Sequence, residues 1–396
     1  MNFDFSDDAK LLRDQARKFL REQGATKAAR RVLEGEAPYD ADLWRRMGEL
    51  GWPGSAISEE FGGAGLGYEG LCVLAEELGR SLAPVPFASS VYFASEAIRL
   101  AGSADQQRRL LPDLAAGKRI GTFALAEGPG NPDPARIRAS VARGKLTGRK
   151  LPVADGDSAD LCVVAARDES GTLALYLVEL KQPGVKRRTL KTLDPSRNHA
   201  QLDFQQAEVE PLGPYRSGQG SSGGGGSGWD TVRTLLDRAA ILIAFEQVGG
   251  AQACLEMAKA FALERYAFGR PIGSFQAIKH KLADVYIATE LARSNAYYGA
   301  WALATDAREL PVAAAAARVA ATEAFHVAAK ENIQTHGGMG FTWEFDCHLY
   351  YRRAKLLALM IGSAPYWKER LISELEERAA PERPTSERPA SKRHAG

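Results

Sequence analysis

From Trp229 to Ala267 the chain has no proline and repeats apolar residues at helical intervals: Val232, Leu235, Leu236, Ala239, Leu242, Ile243 and Val248. At ~1.5 Å per residue, a helix over this stretch approaches ~55 Å, longer than a small domain is wide. Helical patterning returns from Gln276 to Ala304, from Val312 to Thr335 and from Cys347 to Glu377. Residues 229–378 are therefore predicted to form a four-helix bundle with long members.

The first part of the chain, residues 1–117, is also helical in pattern. Ser6 is placed to cap a helix whose apolar Leu11, Leu12, Ala16, Phe19 and Leu20 fall on one side, and Gly67 to Gly79 carries Leu71, Val73, Leu74 and Leu78. Between these blocks, Ser58 to Gly67 is a glycine-punctuated turn, read as a connector. From about residue 118 the period changes. Asp160 to Ala166 is a short apolar run, Thr172 to Leu180 is rich in strand formers, and Gln201 to Gln205 alternates strictly. A β domain over 118–212, set between helical regions, makes the fold class α+β with segregated units. A doubly wound nucleotide-binding sheet is disfavoured, and the single GPG of Glu127 to Gly130 lacks the spacing of a dinucleotide fingerprint.

Composition narrows the partners. The 51 Lys plus Arg nearly balance 49 Asp plus Glu, so no electrostatic footprint of a nucleic-acid binder is present. The N-terminus begins acidic and lacks the basic start and apolar run of a signal peptide, and no long apolar stretch suggests a membrane span. The expected location is cytoplasmic. Cys72, Cys162, Cys254 and Cys347 are too far apart for a CxxC motif and are expected to be reduced and buried. Of 39 glycines, eight crowd between Gly213 and Gly228, a Gly/Ser-rich loop joining β domain to bundle. Residues 379–396 read as a disordered tail.

The segments Arg265-Tyr-Ala-Phe-Gly-Arg-Pro-Ile272 and Gln334-Thr-His-Gly-Gly-Met-Gly-Phe341, with the Ser58–Gly67 turn and the helical, β, helical order, resemble the acyl-CoA dehydrogenase family over about residues 5–375. The resemblance implies FAD bound between the β domain and the C-terminal bundles of paired subunits, an acyl-CoA substrate, a dimer or tetramer, and an electron-transfer flavoprotein as acceptor. It implies cofactor contacts by Arg265, Phe268, Gln276, Gln334, Gly337 and Gly338. The residue chemistry agrees: Arg265 is a permanently charged, forked donor suited to a diphosphate, Phe268 offers an apolar face and Gly269 permits close approach. Taken singly, each motif also reads as a helix-ending turn, with Arg265 a solvated cation.

The family's reaction needs a base for the α-proton and a flavin for the β-hydride. In most members the base is a glutamate about twenty residues after the glycine turn, and a gapless alignment puts Ile361 there. In the isovaleryl type it lies on the long helix, where this chain has Ala239. Neither side chain accepts a proton. Glu246, seven residues after Ala239, lies ~20° off the same stripe but ~10.5 Å further along, and is a candidate base or, more simply, an interhelical or subunit contact. Asp237, Glu344 and Asp346 are lesser candidates, the last two readable as caps of the helix near Cys347. His336 and His348 have no metal-like spacing, and no metal is expected.

Where many members carry Thr-Glu-Pro-Gly-Ala-Gly-Ser, this chain has Ala126 to Pro132, and in place of Trp-Ile-Thr-Asn-Gly it has Pro152 to Gly156, so hydroxyls that face the flavin are replaced. The familiar arginine on the long helix is Ala240, with Arg238 turned by ~200°. Two readings follow: an FAD-dependent acyl-CoA dehydrogenase with a non-standard base, or the non-catalytic subunit of an α2β2-like heteromer that completes a homologous partner's FAD site. A flavin-dependent oxidase of similar fold is a third. Acyl chain length is not legible.

Overall fold

The computed structural model describes residues 5–213 and 228–379, so most of the Gly/Ser-rich loop and of the C-terminal tail lie outside the described residues. The N-terminal domain comprises α1 (Asp7–Glu22), α2 (Ala25–Leu33), α3 (Ala41–Glu49), α4 (Gly67–Ser81), a π-helical segment (Ala88–Ser95), α5 (Glu96–Ala101) and α6 (Ala104–Ala115). Ser6 caps α1 as expected, its hydroxyl accepting from the Ala9 amide. Ser103 and Gln106 form a reciprocal capping box on α6.

The central domain holds β1 (Gly121–Ala124), β2 (Ser140–Ala142), β3 (Lys145–Ala154), β4 (Leu161–Arg167), β5 (Leu173–Glu179), β6 (Val185–Thr189), β7 (His199–Glu208) and β8 (Glu210–Pro211). They form one eight-stranded sheet in the order β6-β7-β3-β2-β4-β5-β8, with β1 parallel to β4. The apolar run at 161–166 is the buried strand β4, paired antiparallel with β5, Cys162 opposite Val178. The alternation at 201–205 lies in β7, which buries Leu202 and Phe204.

The C-terminal domain begins with α7 (Gly228–Glu264), followed by a hairpin of β9 (Tyr266–Ala267) and β10 (Arg270–Pro271), then α8 (Gln276–Ala304), α9 (Leu310–His336), α10 (Cys347–Leu359) and α11 (Ala364–Ala379). The expected fourth helix is therefore two. Trp367 Nε1 donates to Ile361 O and the Ser363 amide donates to Asn131 Oδ1, contacts that a continuous helix across Met360–Ser363 would not make. The long helix stops at Glu264, three residues short of expectation, because the next residues pair as the hairpin.

α7 is sheathed on several sides, with α4, α8, α9 and α10 against it. Its crossing with α4 is close because two glycines face it. A methyl group on Gly79 would lie 2.0 Å from the Glu246 carbonyl oxygen, and one on Gly249 would lie 1.9 Å from the Glu76 carbonyl oxygen. This contact locks the N-terminal domain onto the bundle. All four cysteines are free and buried, as expected. No described helix is long and apolar enough to cross a membrane.

Candidate active site

Two places hold the residues singled out in the sequence. The first is the end of the bundle where α7 and α9 finish together, His336 stacking on Phe261 with ring centroids 4.2 Å apart. Beyond Phe261 the Ile272 amide donates to Arg265 O at 2.7 Å and closes the β9–β10 hairpin. Its two turn residues, Phe268 at φ 54° and Gly269 at φ 78°, are both left-handed, the geometry of a two-residue hairpin turn. Phe268 is 94% exposed at the tip. Arg270 covers the Phe275 ring at 4.1 Å, and Gln276 opens α8 just beyond.

From α9 the chain leaves through Gly337 at φ 61° into the Gly337–Phe341 turn. Arg265, Phe268, Gln276, Gln334, Gly337 and Gly338 are all exposed, and methyls added to Gly269, Gly337 or Gly338 would touch nothing within 4 Å. Tyr266 and Phe341 of the same motifs are exposed, as is Leu263 at the end of α7. Exposed apolar side chains thus surround a cation and open glycines at this end of the bundle.

The second place is where the β domain meets the break between α10 and α11. Ile361 is buried there, flanked by the Trp367 bond to its carbonyl at 3.1 Å and by the Asn131 bond to Ser363 at 2.9 Å. Asn131 belongs to the Ala126–Pro132 segment, so the two departures noted in the sequence face one another. That segment is held by Glu127, which accepts from Lys150 Nζ at 2.8 Å and from the Arg138 and Ala139 amides at 2.9 Å each. Burial alone would push the Glu127 carboxyl up, yet Lys150 and the two amides hold it below its ordinary value. Burial pushes the Lys150 ammonium down, with Glu127 opposing.

Ala239 is fully buried on α7. Glu246, further along, is fully buried too, with Oε2 2.6 Å from Arg197 Nη2. The neighbouring pair, Arg353 on α10 and Asp194, is as deeply buried at 2.7 Å, and Arg353 Nη2 donates to Ser196 at 2.9 Å. Asp155 accepts from Ser89 of the π-helical segment at 2.6 Å, and burial raises its carboxyl. Glu246 thus sits in a buried ionic junction of all three domains. Arg197, Arg353 and Asp194 were not singled out in the sequence, because an ion pair between distant residues leaves no local pattern.

The lesser candidates separate. Asp237 pairs with Arg370 of α11 at 2.8 Å, and burial raises its carboxyl to about 6. Asp346 occupies the residue before α10 but does not cap it. Its carboxylate is drawn instead to Arg30 of the N-terminal domain. Arg238 binds Tyr68, Glu96 and Asp306 at 2.7, 2.9 and 2.6 Å. His336 Nδ1 lies 2.8 Å from Asn332 O, a structural imidazole, and His348 stacks on Trp343. Among the described residues no group of His, Cys, Asp or Glu suits a metal.

The chain is similar to known proteins along nearly its whole length. The family models described as acyl-CoA dehydrogenase, N-terminal domain, and acyl-CoA dehydrogenase, C-terminal domain, match residues 6–118 and 226–373. Acyl-CoA dehydrogenase IpdE2 of Mycobacterium tuberculosis is 35% identical, over 94% of this chain and 98% of that protein. Among solved structures, the Tcur3481–Tcur3483 steroid ACAD, determined as a variant, superposes with a TM-score of 0.83 at 30% identity, covering 95% of this chain and 99% of that one. The ChsE4–ChsE5 complex from Mycobacterium tuberculosis gives a TM-score of 0.85 at 29% identity, covering 96% and 100%.

Proposed function

The chain belongs to the acyl-CoA dehydrogenase family, and on that premise we propose how its own residues serve the desaturation of an acyl-CoA thioester. FAD is the family's cofactor and, when bound, accepts the hydride from the β-carbon. The observation that carries the reading is the convergence of the Arg265–Ile272 hairpin and the Gln334–Phe341 turn at one exposed end of the bundle. A guanidinium, two amides and glycines with open space above them fit the diphosphate and adenosine half of FAD. Because these groups face outward, an FAD held by them would be shared with a second subunit packed on that face. Phe268 is the apolar anchor of that contact.

At the α10–α11 break, Ile361 and the Ala126–Pro132 and Pro152–Gly156 segments line the flavin side. Their side chains offer few donors, so backbone amides would have to carry the hydrogen bonds to a bound ring. Ile361 and Ala239 hold no proton, and Glu246 is committed to Arg197, so the α-proton passes to a group other than these three. The likenesses do not favour reading the chain as a non-catalytic subunit, since the matched relative is itself an acyl-CoA dehydrogenase. One solved neighbour is the ChsE4–ChsE5 complex and another is a steroid ACAD. A homologous second chain and a bulky polycyclic acyl group therefore belong in the partner and substrate panels, with an electron-transfer flavoprotein as acceptor and the cytoplasm as location.

The test is flavin content. Arg265→Ala and Gln334→Ala should leave the melting temperature of the flavin-free protein within about a degree, since both side chains are exposed. They should weaken FAD retention by roughly tenfold or more, as loss of charge-assisted bonds requires. Unchanged FAD content in both variants would contradict the assignment.

A further inference from the structure

Arg318, in the first half of α9, is fully buried, yet among the described residues no carboxylate lies within ion-pair distance of it, unlike the buried Arg197 and Arg353. Burial alone acts on its guanidinium and pushes it down to about 9, with no acidic group opposing. An uncompensated buried cation is expensive, and an apolar side chain of similar volume would give a more stable core. Its presence there calls for a task that an apolar side chain cannot perform.

The contacts show what that task is. Nη1 donates to Gln247 Oε1 of α7 at 2.5 Å and to Thr322 Oγ1 of α9 at 3.0 Å, while Nη2 donates to the Leu357 carbonyl of α10. Leu357 lies in the last turn of α10. In a continuous helix its carbonyl would accept from the amide four residues on, but the chain breaks at Met360–Ser363 and leaves only a 3.5 Å contact from the Met360 amide. Arg318 supplies the missing donor, and the negative end of the α10 dipole stands where a counter-ion would otherwise be needed. Only a forked side chain reaches α7, α9 and α10 together; a lysine brings a single nitrogen.

The break that follows is the turn carrying Ile361. Beyond Leu357 it is fixed by Trp367 on one side and by Asn131 of the flavin-side segment on the other. We propose that Arg318 is a positioning residue for the dehydrogenation: by holding the end of α10 it sets the Met360–Ser363 turn against the Ala126–Pro132 segment. This rests on the reading that the turn lines the flavin side, and the experiment separates the two.

Arg318→Met removes the charge and the fork at nearly constant volume, and Arg318→Lys keeps the charge. Amide hydrogen exchange of peptides covering 358–367 is measured in the flavin-free protein, together with thermal unfolding. In the holoenzyme, kcat and KM are measured separately with an acyl-CoA that reduces the wild type. Arg318→Met is expected to unfold at or above the wild-type temperature while exchange in 358–367 rises tenfold or more and kcat falls roughly 10- to 100-fold at little-changed KM. Arg318→Lys recovers part of both. Exchange that is unchanged in 358–367, or that rises equally through α7, α9 and α10 with a lowered unfolding temperature, would overturn the proposal. If the wild type holds flavin that no acyl-CoA reduces, the functional reading fails, while the exchange result still decides whether Arg318 holds the turn.

Discussion

Replacing Glu246 by Gln tests whether this carboxylate holds domains together or takes a proton. Glu246 and Arg197 are 0% and 4% exposed and 2.6 Å apart, and Glu246 Oε1 and Arg197 Nε and Nη1 have no other hydrogen-bond partner among the described residues. Removing one member of such a pair typically destabilises by ~3–5 kcal/mol, because the other charge is left buried and unpaired. Glutamine keeps an acceptor for one Arg197 N–H, so the expected loss is about 3 kcal/mol, read from the urea midpoint at constant slope. Arg197→Met should lose a comparable amount, and the double variant should lose clearly less than the sum, with a coupling of about 2 kcal/mol or more. The rate of flavin reduction per folded holoenzyme should stay within about twofold, since the side chain lies ~10.5 Å along α7 from the family's base position. Glu246→Gln with unchanged stability and abolished reduction would refute the reasoning and make Glu246 the base.

Three further outcomes follow from the geometry. Gly79→Ala forces a methyl into the Glu246 carbonyl oxygen 2.0 Å away, so α4 and α7 must separate; a loss of about 3 kcal/mol is expected in urea unfolding, and a neutral result would deny the close crossing. Phe268→Asn removes a left-handed phenylalanine, so the lone chain should gain up to ~1 kcal/mol while subunit association, followed by sedimentation, weakens. Asp237 has a carboxyl raised to about 6 by burial, above the 3.8 of the unfolded chain, so its contribution is present below about pH 4 and lost as pH rises through about 6. Asp237→Asn should flatten that part of the stability profile, and an unaltered profile would place the slope elsewhere.

The sequence made the domain order and most helices legible because they follow from periodicity. The long run without proline became α7, and the apolar run at 161–166 became β4. The break at Met360–Ser363 was not legible, since Leu356, Leu357, Leu359 and Ile361 continue an apolar pattern through it. What stops the helix is distant in sequence: Asn131 and Arg318. Asn131 was read only as part of the Ala126–Pro132 segment, and the fold gives it a task, accepting from the Ser363 amide. The ionic junction was equally hidden: Glu246 was legible as a candidate base or interhelical contact, but its partner Arg197, far away in sequence, leaves no local pattern and reads as a surface-type residue until three domains close over it. Asp346 had the right place for a cap, but Arg30 competes for its carboxylate.

We propose that this chain dehydrogenates an acyl-CoA with a proton acceptor that is none of Ile361, Ala239 and Glu246. The most direct test is anaerobic mixing of the purified holoprotein, with any copurifying subunit retained, against saturated acyl-CoA thioesters including bulky polycyclic ones. Flavin absorbance and enoyl-CoA formation are followed together. The expected result is flavin bleaching with one enoyl-CoA formed per flavin reduced, retained in Glu246→Gln. Full flavin occupancy with no bleaching by any thioester, or bleaching abolished by Glu246→Gln in a folded protein, would contradict it.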